Sequence, residues 1–272
     1  MMESVLLVGI GLILGITTVV PGVSAGTLAV VFNVYDRLLE VITPNVRKIL
    51  GAWRFLLPLG FGGLLGIFLF SKLAAVLFSE YPFPTYWFFI GIIAGSIPFV
   101  YGRVCPSRTL PPLSSIVCII AAFALMVLMA ILRPTGEMPL YTDLTPGLFA
   151  LLVIAGMLAA FAMIIPGTSG SFMLLVVGLY RTIVQAVNTL NIPIIASFAF
   201  GTLVGLFLGA ALVRSLLAKA PSKTYGAVLG LMAGSLVVLY PNGLGSGFTV
   251  IISIASLIAG FVLSFVFGRQ KK

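Results

Sequence analysis

The chain of 272 residues contains no histidine, only two cysteines, and 6 acidic residues against 15 basic ones. Without histidine it lacks the commonest metal ligand and the side chain most used for proton transfer near neutral pH. Cys105 and Cys118 are too few for a disulfide framework. No metal site, haem or other cofactor is therefore expected, and the two thiols read as buried or loop positions without a special role. Charged residues make up only 8% of the chain. The net charge of +9 comes from basic residues scattered between apolar runs rather than gathered in a patch, which excludes nucleic acid as the natural partner. The opening stretch "MMESVLLVGIGLILG" has no basic region and no small-residue cleavage site close behind it, so it reads as mature sequence rather than a leader.

What the chain has in excess is hydrocarbon: 61% hydrophobic residues and a mean hydropathy of +1.25. A water-soluble domain of this length could not bury so much apolar surface, so the reading is one all-α, polytopic integral-membrane domain over residues 1–272. Breaks at Pro, Gly and charged clusters give apolar segments near 4–20, 27–43, 55–79, 84–101, 113–132, 147–165, 171–189, 193–217, 224–240 and 248–267. Most are long enough to cross a hydrocarbon core of ~30 Å at about 1.5 Å per residue.

The chain repeats itself. "PGVSAG" (21–26) has a near copy in "PGTSGS" (166–171), and Pro21, Gly22, Ser24 and Tyr35 return 145 residues later as Pro166, Gly167, Ser169 and Tyr180. "FGGLLG" (61–66) matches "FGTLVG" (200–205) at an offset of 139, as do Gly91, Gly95, Ser96 and Tyr101 with Gly230, Gly234, Ser235 and Tyr240. Two halves, 4–132 and 147–267, share one plan. If the segments around each Pro-Gly turn form a hairpin, each half crosses an odd number of times and its copy is inverted. If they form one broken helix, the copies are parallel. Positive charge decides. With hairpins and a cytoplasmic amino terminus, the cytoplasmic loops hold Arg47, Lys48, Arg54, Arg103, Arg108, Arg214, Lys219, Lys223, Arg269, Lys271 and Lys272, and the outside loops hold only Arg133. The expected fold is two inverted-topology repeats, each a membrane-embedded hairpin broken at Pro-Gly-x-Ser plus three transmembrane helices, with both termini cytoplasmic.

Irregular backbone at membrane depth survives only where protein or water satisfies it, and inverted halves with broken helices place ligand sites near the midplane. Ser24, Gly26 and Thr27 at one turn, and Thr168, Ser169 and Ser171 at the other, are candidate ligands for an anion. Their hydroxyls and the free N–H groups of the following helix can donate, and glycine lets a ligand approach the backbone. The plainer alternative is that the hydroxyls cap their own helices. Arg37 and Arg181 each lie about ten residues past a turn, roughly 15 Å along a helix, toward opposite faces. They are candidates for guiding a charged head group, since guanidinium suits phosphate; snorkelling, or pairing of Arg37 with Asp36 or Glu40, is the alternative. Small-xxx-small runs such as Gly62/Gly66 and Gly201/Gly205/Gly209 read as helix packing.

"VVPGVSAGTLAVVFNVYDRLLEVI" (19–42) resembles the signature of the bacterial polyprenyl-phosphate transporters, formerly a domain of unknown function, and the resemblance runs through "IIPGTSGSFMLLVVGLYRTIV" (164–184). The family's usual form has a second glycine where Ala25 stands and a Gly-Ile-Tyr-Glu-like run in place of "NVYDR". The resemblance implies translocation of undecaprenyl phosphate, the carrier lipid of cell-wall synthesis, from the outer leaflet of the cytoplasmic membrane to the inner one, with a membrane lipid as substrate and no catalytic residue. "PGTSGS" also resembles the "PGTSRS" stretch of undecaprenyl pyrophosphate phosphatases. Gly170 stands where those enzymes have arginine, however, and no acid lies near this turn, so hydrolysis lacks its parts. A transporter of a small soluble anion is the other alternative; it needs a closed aqueous path where a lipid carrier needs a groove open sideways.

Overall fold

The computed structural model describes residues 2–19, 24–105, 110–132, 139–241 and 243–269. Pro21 and Gly22 of the first motif, and the loop charges Arg108, Arg133, Lys271 and Lys272, lie outside the described residues. The described residues form thirteen helices and no strand: α1 Met2–Val19, α2 Ala25–Val31, α3 Tyr35–Val41, α4 Val46–Gly51, α5 Trp53–Glu80, α6 Pro82–Val104, α7 Leu113–Leu132, α8 Pro146–Ile164, α9 Gly170–Val177, α10 Tyr180–Asn188, α11 Ile192–Lys219, α12 Pro221–Leu239 and α13 Phe248–Arg269. Among them α5, α6, α7, α8, α11, α12 and α13 are long and apolar enough to cross a membrane. Several begin at proline, whose missing N–H costs nothing in a first helical turn: Pro82 opens α6, Pro146 opens α8 and Pro221 opens α12.

The helices pair along glycine seams. α1 lies along α5, α8 along α11, α6 along α13 and α7 along α12. A methyl group on Gly11 would overlap Leu59, and one on Gly15 would overlap Gly63. Numbering therefore rises together, and α1 and α5 run parallel. Gly201 against Val153 and Gly205 against Met157 make α8 and α11 parallel in the same way. Gly91 against Leu257 and Gly95 against Phe261 do so for α6 and α13, as do Gly226 against Ser115 and Gly230 against Ile119 for α12 and α7. The sequence repeat is thus a packing repeat, since Gly62 and Gly66 of α5 meet α1 as Gly201 and Gly205 of α11 meet α8. α6 and α12 run antiparallel. Trp87 near the start of α6 meets Tyr240 just past α12, ring centroids 5.8 Å apart, while Arg103 near the end of α6 donates to the Tyr225 hydroxyl near the start of α12 (3.0 Å). The main core joins α1, α2, α3, α5, α6, α8, α11 and α12 around the fully buried Phe55, Val100 and Met232.

Two expectations need correction. Segments 27–43 and 171–189 are not single helices. α2 and α3 are separated at Asn33, and α9 and α10 at Gly178, and these positions, 145 apart, both take positive φ (56° and 79°). A left-handed residue ends a helix; glycine adopts it freely, and asparagine does so more easily than most other residues. α9 and α10 meet at 112°, so Arg181 does not lie 15 Å along a straight helix from its turn. Likewise, the described residues counted as loop charges lie in helices: Arg47 and Lys48 in α4, Arg54 in the first turn of α5, Arg103 in the last turn of α6, Arg214 and Lys219 in α11, Lys223 in the first turn of α12 and Arg269 at the end of α13.

Candidate functional site

The two turns meet. A cavity of 80 Å³ lies between them, lined by Thr18, Ser24 and Ala25 from the first half and by Met163, Thr168, Ser169, Gly170 and Ser171 from the second. A water needs about 10–15 Å³ of such volume, so the space takes several waters or a compact anion. Ser24 and Ser169 hold equivalent places, each the N-cap residue of the following helix with extended backbone. Neither side chain makes the capping hydrogen bond. Ser169 Oγ instead lies 2.8 Å from Ser171 Oγ. Ser24 Oγ is buried and has no partner among the described residues. An unpaired buried hydroxyl costs about 1–3 kcal/mol, and among the described residues Ser264 Oγ in α13 is another.

The other hydroxyls hold the frame. Thr168 Oγ1 reaches the carbonyl oxygens of Ala162 (2.5 Å) and Ile165 (3.1 Å), which commits its proton to the end of α8. Thr27 does not line the cavity. Its Oγ1 accepts from the Gly167 N–H at 2.8 Å, a buried bond that ties the second turn to α2. Gly26 also stands behind the cavity, where an added methyl would press on the Met163 and Ile164 carbonyls at 3.3 and 3.4 Å. A second, apolar space of 160 Å³ shares Ala25 and Met163 with this cavity and is bounded by Leu38 and Leu39 of α3, Ile42 just past it and Leu206 of α11.

Neither arginine reaches the cavity. Arg37 pairs with Glu3 at 3.2 Å, not with Asp36 or Glu40, and its guanidinium lies 4.3 Å from the Phe55 ring centroid. It borders an open recess with Trp53 and Arg54. Arg181 is exposed on α10. Sequence reasoning missed a set of contacts on α3. Arg103 holds Asp36 (3.2 Å), Asn33 Oδ1 (2.9 Å) and the Tyr225 hydroxyl. The Tyr35 hydroxyl donates to the Ile164 carbonyl at 3.0 Å, and Arg214 donates to the carbonyls of Leu39 and Ile42, the latter at 2.7 Å. The repeated Tyr35/Tyr180 was the one signal for this cluster in the sequence. Its other members come from helices far apart along the chain. Thr18 and Met163 were also missed, for each lies just ahead of its motif.

These features define a multi-pass α-helical membrane protein whose two like halves meet at a hydroxyl-lined cavity. Residues 14–249 match the family model described as undecaprenyl phosphate translocase-like, and the chain belongs to that family. Over 271 residues it is 31% identical to a polyprenyl-phosphate transporter of Staphylococcus aureus, covering 95% of this chain and 94% of that one. Over 246 residues it is 32% identical to a polyprenyl-phosphate transporter of Vibrio cholerae, covering 85% and 76%. No solved structure matches the chain.

Proposed function

We propose that this protein moves undecaprenyl phosphate across the cytoplasmic membrane from the outer leaflet to the inner one, returning the carrier lipid for another round of envelope synthesis, without covalent chemistry. The observation that carries the reading is the cavity itself. Two serines 145 residues apart in sequence converge at helix starts, and neither caps its helix. A phosphate there would accept from Ser24, Ser169 and Ser171 and from the first N–H groups of α9, which have no helical carbonyl to bond. Such fixed donors offset the cost of taking an anion into a low-dielectric site.

The topology is part of the proposal: two inverted repeats, re-entrant hairpins at the two turns, and both termini in the cytoplasm. Parallel α1 and α5 support a hairpin, because α2 and α3 must carry the chain back before α5 can rise beside α1. Antiparallel α6 and α12, equivalent in the repeat, support inversion. Inverted halves around a central site suit alternating access. Arg181, on the outer side in this topology, receives the head group. Arg37 acts at departure, exchanging its Glu3 partner for phosphate. The phosphatase alternative is disfavoured by the cavity lining, which holds hydroxyls and glycine where acid-base hydrolysis would need a carboxylate.

The test is leaflet-resolved movement of undecaprenyl phosphate by purified protein in liposomes, with inorganic phosphate as the soluble comparison. Lipid movement without phosphate flux is expected. Phosphate flux alone would replace this reading with a soluble-anion transporter, and phosphate release from undecaprenyl pyrophosphate would restore the enzyme.

A further inference from the structure

Ala25 and Met163 each line two spaces, the serine cavity and the apolar one of 160 Å³ beside α3. Met163 is the penultimate residue of α8, half-exposed, and its side chain lies against Gly170, the first residue of α9. A methyl group on Gly170 would come within 2.8 Å of Met163 Cγ and 3.1 Å of its Sδ, so the missing side chain at Gly170 is what admits the methionine. Gly26 borders the apolar space and not the serine cavity.

The polar groups around the apolar space are already engaged. The Tyr35 hydroxyl donates to the Ile164 carbonyl (3.0 Å), and Arg214 donates to the carbonyls of Leu39 and Ile42. The Leu38 carbonyl accepts from the Ile42 N–H at 3.1 Å. What remains is mostly the hydrocarbon of Leu14, Ala29, Leu38 and Leu206. A buried water needs about two to four polar partners, and a dry apolar cavity of about 150 Å³ holds one benzene ring. The space is therefore suited to one small hydrocarbon unit rather than to a whole lipid chain. A group carrying oxygen would give up its water there without replacement.

On the transport reading above, the phosphate lies among the serines, and the atoms bonded to it have the wall of Ala25 and Met163 within reach. In a polyprenyl phosphate those atoms belong to an isoprene unit, apolar and of fitting size. In a glycerophospholipid they belong to a glycerol that carries ester oxygens. We propose that the apolar space takes the isoprene unit next to the phosphate and so selects polyprenyl phosphates over glycerophospholipids, with Met163 a specificity-determining residue between the two spaces. This rests on the transport reading. A hydrophobic pocket rejects an added hydroxyl by roughly 100-fold at most, which sets the upper scale of the selectivity.

The experiment measures undecaprenyl phosphate movement by the purified protein in liposomes, with water-soluble competitors on both sides of the bilayer. They are dimethylallyl phosphate, which is the head group with a single isoprene unit, glycerol 3-phosphate and inorganic phosphate. Dimethylallyl phosphate is expected to inhibit at a concentration at least about ten-fold below the other two, the gain from roughly two methylenes' worth of burial. Phosphatidic acid, the same phosphate on a glycerol ester, is expected to move at least about ten-fold more slowly than undecaprenyl phosphate. Met163→Gln is expected to erase most of the preference for dimethylallyl phosphate over glycerol 3-phosphate. Met163→Leu, which nearly conserves volume and stays apolar, is expected to retain it. Equal inhibition by the three competitors, inhibition by none, or equal movement of phosphatidic acid, while undecaprenyl phosphate still moves, overturns the selecting space and leaves the transport reading intact. An unchanged preference in Met163→Gln overturns the role of Met163. The competitor and phosphatidic acid arms need no variant, so a misfolded substitution does not rescue the idea. Absence of wild-type lipid movement removes the transport reading, and the selecting space with it.

Discussion

At the scale of single residues, the hydroxyls around the cavity divide into two kinds. Ser24 lines the space with its hydroxyl unpaired, and the hydrogen-bonded Ser169–Ser171 pair has one proton left over, so Ser24→Ala and Ser169→Ala should each slow lipid transport. The loss corresponds to about 1–3 kcal/mol per donor if the phosphate is desolvated. Full transport by the double variant in the liposome assay would reduce both serines to filler. Thr27 behaves differently. Removing its hydroxyl in Thr27→Val strands the buried Gly167 N–H, which should destabilise the protein by about 1–3 kcal/mol, seen as a lower unfolding temperature in detergent that Thr27→Ser restores. Arg181→Ala should slow capture, and Arg181→Lys should recover only part of it, since an ammonium keeps the charge but loses the planar fork. The serines were legible because the motif occurs twice. The division of labour was not. Thr27 is replaced in the second copy by Phe172, and whether a hydroxyl faces a cavity or a neighbouring backbone depends on a partner 140 residues away.

At the scale of elements, α3 is the piece held from the most directions. Arg214 of α11 fills the carbonyls at its carboxyl end, the Tyr35 hydroxyl ties its first turn to α8, and Arg103 of α6 holds Asp36 and Asn33. Cationic donors at a helix carboxyl end satisfy orphan carbonyls and oppose the dipole. Arg214→Ala should therefore free this end, and amide hydrogens of residues 38–42 should exchange faster while those of α8 do not. The Asp36–Arg103 pair is half open to solvent, and a double-mutant cycle should find under about 1 kcal/mol between them. Hydropathy located the long spans to within a few residues: 113–132 is α7, and 193–217 lies within α11. It could not find the breaks at Asn33 and Gly178, because the residues on both sides stay apolar and one left-handed residue leaves no trace in a window average. The charge count, not hydropathy, put Arg214 among the loop residues although segment 193–217 contains it, since charge alone does not say that a side chain has helix-end carbonyls within reach.

For the whole molecule, the proposed topology is checked by impermeant cysteine labels in a chain freed of Cys105 and Cys118. Positions in 243–247 should label from outside the cell, and positions in 219–223 should not. Outside labelling of Lys219 or Lys223 positions would overturn the inverted arrangement, since that connection is where the broken-helix alternative differs. The repeat was readable from glycines at fixed offsets, but which helix each glycine faces was not, and that pairing has a consequence for biosynthesis. α1 and α5 find each other within the first half, and α8 and α11 within the second, but α6 waits for α13 and α7 for α12. A ribosome that has released residues 1–132 has made a half in which the Gly91/Gly95 face of α6 and the face of α7 that meets α12 still lack the helices they pack against. The chain must be tolerated in that state until its last helix emerges, so a product truncated before α12 should be degraded rather than retained. The two halves are thus bound to each other in time as well as in space.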